Sequence, residues 1–344
     1  MKSVLFRVDA SQQVGLGHLM RCLALAQHLT QQKIQVTFAV KSSSVEFCRS
    51  RTDWVGELYI IPEDTNISEP DYLKSYANDN NFDWIVLDGY QFTSSYRKTL
   101  SQSCAKLAVF DDKNDTGELY ADLVINGANN ATFVGYNQTA KSAKLCLGER
   151  FRILRTEFTN IKESSWEYRD KLTVSFGGSD PYELTIPFLK ALNALNQQQE
   201  TQVPLRVSVL TGAAYENVDK LRDLLATLSF DVVHVHDSQK VSTLFAQSRL
   251  VISAAGGTQF ELLACDTPSL LVIVADNQKL ATKDAEVQGW CRIFDHQRTT
   301  SQVLANETLV LWNDSSLLQE MHKQACAHKN VDGALNVIAS MHDS

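Results

Sequence analysis

The feature that most restricts this chain is an alternation of short apolar runs with helical periodicity, interrupted once and then begun again. Residues 3–8 read as a buried strand, followed by Gly15-Leu16-Gly17 and a helix over about 18–31. That helix carries Leu19, Cys22, Leu23, Ala26 and Leu29 on one face. Further apolar runs fall at 34–40, 83–87, 105–110 and 123–125, most of them delivering a polar or glycine-containing loop: Asp88-Gly89-Tyr90, Asp111-Asp112 and Asn126-Gly127. A charge-rich stretch over about 151–171 breaks the rhythm and reads as a linker. The pattern then restarts at 172–176, 205–210, 232–235, 250–252 and 269–274. Strands alternating with helices imply parallel sheets, so the expectation is α/β architecture twice over: two Rossmann-like domains, 1–155 and 170–344. The last helices, around 315–327 and 332–340, are placed to pack back on the first domain.

With 344 residues, 44% of them hydrophobic, the chain has apolar material for two cores. Its net charge is −8 and no Lys/Arg block occurs, so nucleic acid is not an expected partner and any anionic ligand must be held by local dipoles and a few cations. No signal peptide and no membrane span are read, and no obligate protein partner is evident. The seven cysteines are scattered without a C-x-x-C, which argues against a disulfide framework or zinc site and fits the cytoplasm.

Three loops carry candidate chemistry. In Gly15-Leu16-Gly17-His18-Leu19-Met20-Arg21, the glycines let a ligand approach backbone, and the helix start offers free N–H groups. The same field disfavours imidazolium, which positions His18 as a general base. The alternative is a capping histidine beside a tight turn. The loop lacks G-x-G-x-x-G and is no dinucleotide fingerprint. In Ser253-Ala254-Ala255-Gly256-Gly257-Thr258, small residues before a helix make a phosphate seat, with Glu261 able to accept from ribose hydroxyls. Thr258 with Glu261 equally reads as a capping box. Gly177-Gly178-Ser179-Asp180-Pro181 is a second diphosphate-facing loop or an Asp-Pro turn. Asn277 and Gln278 reach sugar hydroxyls or cap a helix, and Tyr90 touches the sugar or packs.

Other signals are weaker. His234 and His236 share a strand face beside Asp237, but nothing completes a metal site. Asp111-Asp112 is a Mg²⁺ candidate or a strand-end pair capping the next loop; the Asp-x-Asp of metal-dependent nucleotide-sugar transferases is missing. No metal and no cofactor is expected. No Walker loop, nucleophile elbow or H-E-x-x-H occurs.

Taken together, the motifs resemble the UDP-2,4-diacetamido-2,4,6-trideoxy-β-L-altropyranose hydrolases of pseudaminic acid biosynthesis, relatives in fold of the MurG-type, GT-B glycosyltransferases. The resemblance spans nearly the whole chain. It rests on Arg7-Val8-Asp9, residues 15–26, Asp88-Gly89-Tyr90, Phe110-Asp111-Asp112, Leu147-Gly148 with Leu154-Arg155, Phe176 to Pro181, Ala254 to Thr258 with Glu261, and Asp276-Asn277-Gln278. It implies a GT-B fold with a cleft between the domains and His18 as catalytic base. It also implies Tyr90 and Asn277 at the sugar and Glu261 on the ribose. The family usually has histidine where Gly89 stands.

The expectation is hydrolysis of a UDP-sugar at the anomeric carbon with inversion. Gly15, Gly17, Arg21, Gly178, Ser179, Asp180, Gly256, Gly257, Thr258 and Gln278 would help to bind the substrate. A UDP-sugar glycosyltransferase, a hydrolysing 2-epimerase of a UDP-HexNAc and a non-catalytic nucleotide-sugar-binding protein are the alternatives.

Overall fold

The structure is a computed structural model. It describes residues 1–9, 17–64, 66–161, 164–198 and 204–344, apart from the side chains at 276, 277, 280, 281 and 284. The chain forms two compact units, Met1–Thr159 with Val331–Ser344, and Asn160–Asn330.

The first unit runs β1 (Ser3–Arg7), α1 (Gly17–Gln31), β2 (Gln35–Val40), α2 (Val45–Ser50), β3 (Glu57–Ile60), α3 (Glu69–Asp79), β4 (Trp84–Asp88), α4 (Ser94–Leu100), β5 (Lys106–Phe110), β6 (Leu123–Asn126), α5 (Tyr136–Thr139), β7 (Lys144–Leu147) and α6 (Thr156–Thr159). Its seven strands are all parallel, in the order β3-β2-β1-β4-β5-β6-β7. The second unit runs β8 (Lys171–Ser175), α7 (Thr185–Gln198), β9 (Arg206–Thr211), α8 (Val218–Leu225), β10 (Asp231–His236), α9 (Val241–Ala246), β11 (Ser248–Ala254), α10 (Thr258–Ala264), β12 (Ser269–Ile273), α11 (Asp276–Val287), β13 (Cys291–Asp295), α12 (Ser301–Asn313) and α13 (Ser315–His328). Its sheet is parallel too, in the order β10-β9-β8-β11-β12-β13. The last helix, α14 (Gly333–His342), belongs to the first unit, whereas α13 belongs to the second.

The central strands read as unbroken apolar runs because helices cover both of their faces. Val4, Phe6, Phe38 and Val86 look to one side of the first sheet, with Leu23 of α1 and Val337 of α14. Leu5, Ala39, Ile85 and Leu87 look to the other, with Leu73 of α3 and Leu100 of α4. The second unit repeats the arrangement around Val174, Val209, Ile252 and Val272. Three strands escaped the sequence reading: β3, β7 and β13. Each ends its sheet and is only partly buried, which removes the apolar continuity that marks an interior strand. No described helix is long and apolar enough to cross a membrane.

Helix α1 follows from its composition. Leu and Ala dominate, and Leu19, Cys22, Leu23, Ala26 and Leu29 are fully or almost fully buried, as their spacing predicts. It ends where Lys33 turns left-handed, with φ 62°, and Ile34 N–H and Lys33 N–H bond back to Leu29 and Thr30 carbonyls. The buried face leaves His18 and Arg21, three residues apart and so on a common face, beside the carboxyl ends of the strands.

Candidate functional site

In both sheets the chain reverses direction of winding beside its first strand, between β1 and β4 and between β8 and β11. Loops leaving the two strands at such a point diverge and open a crevice, which is where open parallel sheets bind ligands. The predicted residues of each unit gather there.

In the first unit, α1 begins just beyond β1 and places His18 against Asp88, the last residue of β4. His18 Nδ1 lies 2.6 Å from Asp88 Oδ1. Asp88 is fully buried, and both its oxygens are taken: Oδ2 by Arg21 Nε at 2.5 Å, Oδ1 also by Arg21 Nη2 at 2.7 Å, with the Cys22 thiol 3.6 Å from Oδ2. A carboxylate only accepts, so His18 Nδ1–H donates to Asp88, and the 3.1 Å approach of Arg21 Nη2, itself a donor, to Nδ1 is then not a bond. In the neutral ring that tautomer leaves the lone pair on Nε2, and no hydrogen bond among the described residues uses it. The sequence reading made His18 a base through the helix field alone. The structure adds a buried carboxylate.

Arg21 also grips Asp112, just beyond β5, through Nη1 at 2.8 Å and Nη2 at 3.0 Å. Burial opposes its charge, but the two carboxylates outweigh burial and raise the guanidinium further above its ordinary value. Burial likewise works against an ionised Asp112, yet Arg21 overcomes it and pulls the carboxyl below its ordinary value. Tyr90 donates to Asp112 Oδ2 at 3.2 Å and meets the His18 ring edge-on, centroids 4.6 Å apart. Burial, then Asp112, pushes its phenol up to about 12, so it remains a donor at neutral pH. The Lys113 ammonium lies 4.7 Å from the centre of the Tyr90 ring. His18, Arg21, Asp88, Tyr90 and Lys113 line a recess of about 20 Å³.

His18, Arg21 and Tyr90 are therefore brought together, and Asp88 and Asp112 complete the cluster. Sequence reasoning missed both carboxylates as partners, although their places at strand ends were visible. It offered Asp111-Asp112 as a Mg²⁺ pair or a loop cap. Asp111 does cap its loop, accepting from the Lys113 and Asn114 amides and from Tyr136, whereas Asp112 is an ion-pair partner. Gly89, where the resembling family has histidine, sits at φ +151°, a conformation an L side chain adopts only with strain. Gly17 opens α1 in the open, and Gly15 lies outside the described residues.

In the second unit, adjacent strands β8 and β11 deliver the two glycine loops. Gly178 and Ser179 are exposed. The residues around them are wound unusually, with positive φ at Gly177, Asp180 and Glu183. Helix α7 starts only at Thr185, so this segment is a loop ahead of the helix and not its first turn. Asp180 points inward: its oxygens accept from the Leu184 and Thr185 amides, both at 2.9 Å, and it is 3% exposed. Its carboxylate shapes the loop and closes the start of α7. Gly212, after β9, donates its N–H to the Gly178 carbonyl at 3.0 Å and supports the loop from behind.

Helix α10 starts at Thr258, with Gly257 as its cap and no side-chain capping bond, so Thr258 and Glu261 do not form a capping box. Glu261 stands in the first turn. Gln278 accepts from the Val274 amide at 2.9 Å, and its amide nitrogen lies 3.7 Å from where a side chain on Gly256 would begin. The side chain of Asn277 lies outside the described residues. His234 and His236 both meet the Thr211 hydroxyl, at 2.8 and 3.0 Å.

Residues 173–337 match the glycosyltransferase family 28 C-terminal domain. An uncharacterized protein of Methanocaldococcus jannaschii is 27% identical over 280 residues, 78% of this chain; the chain spans only about half of that relative, 55% of its length. The UDP-2,4-diacetamido-2,4,6-trideoxy-β-L-altropyranose hydrolase of Campylobacter jejuni is 23% identical over 293 residues, 83% of this chain and 98% of that protein. Among solved structures, MurG of Acinetobacter baumannii superposes with a TM-score of 0.66 at 15% identity, covering 100% of both chains. The fold is thus GT-B-like, built from two parallel-sheet α/β domains.

Proposed function

We propose that this chain hydrolyses UDP-2,4-diacetamido-2,4,6-trideoxy-β-L-altropyranose or a close UDP-linked diacetamido hexose, releasing UDP and the free sugar for pseudaminic acid biosynthesis. The observation that carries this reading is the 2.6 Å contact of His18 Nδ1 with buried Asp88, which commits Nε2 to accepting a proton. In the reaction His18 Nε2 takes a proton from water as its oxygen bonds to C1, while the C1–O bond to the β-phosphate breaks and UDP leaves with the electron pair. Attack opposite UDP inverts the anomeric centre. Gly178, Ser179 and Gly257 are exposed, and their amides, with Thr258, would receive the diphosphate beside Gly256, whose own N–H is held by the Ala254 carbonyl. Fixed donors of this kind stabilise a leaving anion without reorganising, so the step calls for no metal. Glu261 would accept from the ribose. Tyr90, Asn277 and Gln278 would contact the sugar, and Arg21 holds Asp88 in place. The reading requires both units to act on one bound substrate, as a cytoplasmic enzyme would on a soluble nucleotide sugar. The name of the Campylobacter jejuni relative supports it.

The family 28 match favours a second reading, transfer of the sugar to an acceptor. Incubating the protein with a panel of UDP-sugars, and following free sugar and UDP by NMR, separates the two. Hydrolysis predicts UDP and an inverted free sugar in stoichiometric amounts with water as the sole acceptor. UDP release that depends on an added acceptor would establish transfer instead.

A further inference from the structure

Two buried polar atoms beside the His18 cluster, Arg97 Nε and Thr116 Oγ1, have no partner among the described residues, and both belong to residues lining the same recess. Arg97, on α4, is 3% exposed. Its Nη1 donates to the Phe92 carbonyl at 2.7 Å, and its Nη2 to the carbonyls of Thr116 at 2.9 Å and Glu118 at 3.2 Å. The guanidinium thereby staples the loop after β4, which carries Tyr90, to the loop after β5, which carries Asp112 and Lys113. Its Nε is buried and without a hydrogen-bond partner among the described residues, and the same holds for the Thr116 hydroxyl. Leaving a buried donor unmade is costly, and such atoms are rare enough to call for an occupant. The recess of about 20 Å³ exceeds the space one water-sized group needs, roughly 10–15 Å³.

We propose that this recess is a subsite for a single acceptor oxygen of the substrate, the carbonyl oxygen of an N-acyl substituent on the sugar, held by Arg97 Nε–H and Thr116 Oγ1–H. The inference rests on the nucleotide-sugar reading above. A carbonyl oxygen offers two lone pairs to two donors. A hydroxyl would have to give its own proton to Thr116 Oγ1, which then does not donate to it, or to the exposed carboxylate of Asp115, whereas a carbonyl oxygen takes both donors as they stand. Leu87, Phe92, Val109 and Phe110 give the recess an apolar part that suits an acyl methyl, beside the polar Asp111, Lys113 and Asp115.

The test is Thr116→Val, which removes the hydroxyl and keeps the side-chain shape and the carbonyl that Arg97 holds. Calorimetry in a His18→Asn background, to suppress turnover, would compare UDP, UDP-glucose and the diacetamido UDP-sugar. The subsite predicts about fivefold weaker binding of the diacetamido sugar alone, the loss of one hydrogen bond of ordinary strength. Equal loss for all three ligands, or none for any, overturns it. So does a crystal structure with the diacetamido sugar bound and only water in the recess. Failure of the unmodified chain to bind UDP at all overturns the nucleotide-sugar reading and the subsite with it, and is told apart by that first titration.

Discussion

Replacing His18 by Asn is expected to lower kcat by about 10³-fold, the middle of the range for a lost general base, while UDP affinity stays within about twofold of the parent. Asp88→Asn should come close to it, at about 10²–10³-fold, for a different reason. In the native site Asp88 presents two oxygens, one to His18 and both to Arg21. An asparagine has one oxygen, and the short Arg21 Nε contact claims it. The amide N–H₂ then faces His18 Nδ1, which must accept, and the ring proton moves to Nε2, the nitrogen that should take a proton from water. Because both variants remove the same function, the double variant should be no slower than His18→Asn by more than about threefold, as for residues acting as one unit. Rates from NMR-monitored UDP release, with circular dichroism to verify folding, measure all three. Losses that multiply in the double variant would show that Asp88 acts apart from His18. An Asp88→Asn enzyme at the parent rate would remove the orienting role altogether.

A Gly333→Ala substitution at the start of α14 is expected to destabilise the first unit by about 3 kcal/mol or more. The added methyl would lie 1.9 Å from the Arg152 carbonyl oxygen and 2.7 Å from its nitrogen, so backbone, not a yielding side chain, stands in the way. Helix α14 would have to lift from its seat. It buries Val337, Ile338 and Met341 in the first unit's core, each worth roughly 1.5–3 kcal/mol. For a unit of this size the expected fall in Tm is roughly 6–12 °C, read by calorimetry. Gly257→Ala is the control: its added methyl meets nothing within 4 Å, and its φ of −56° suits alanine. An unchanged Tm for Gly333→Ala would mean that α14 does not contribute to folding of the first unit.

Much of the architecture was legible in the chain. Apolar continuity in β1, β4, β5, β8, β11 and β12 marks strands covered on both faces, and that signal is local. The glycine loops and His18 were legible because a parallel α/β pattern puts such loops at the carboxyl ends of strands, whatever the order of those strands. Three of the four edge strands, β3, β7 and β13, were not, because half-solvated strands carry mixed sequences.

Strand order itself lay beyond the sequence, and most of the site's chemistry follows from it. His18 meets Asp88 across 70 residues and Arg21 meets Asp112 across 91 because β4 lies beside β1, and β5 beside β4. The seating of α14 on Arg152, and the inward turn of Asp180 away from solvent, were likewise decided by packing. Periodicity reports whether a residue is buried, since burial repeats with the local helix or strand geometry. It does not report which buried group lies opposite, because that depends on how the whole chain crosses over.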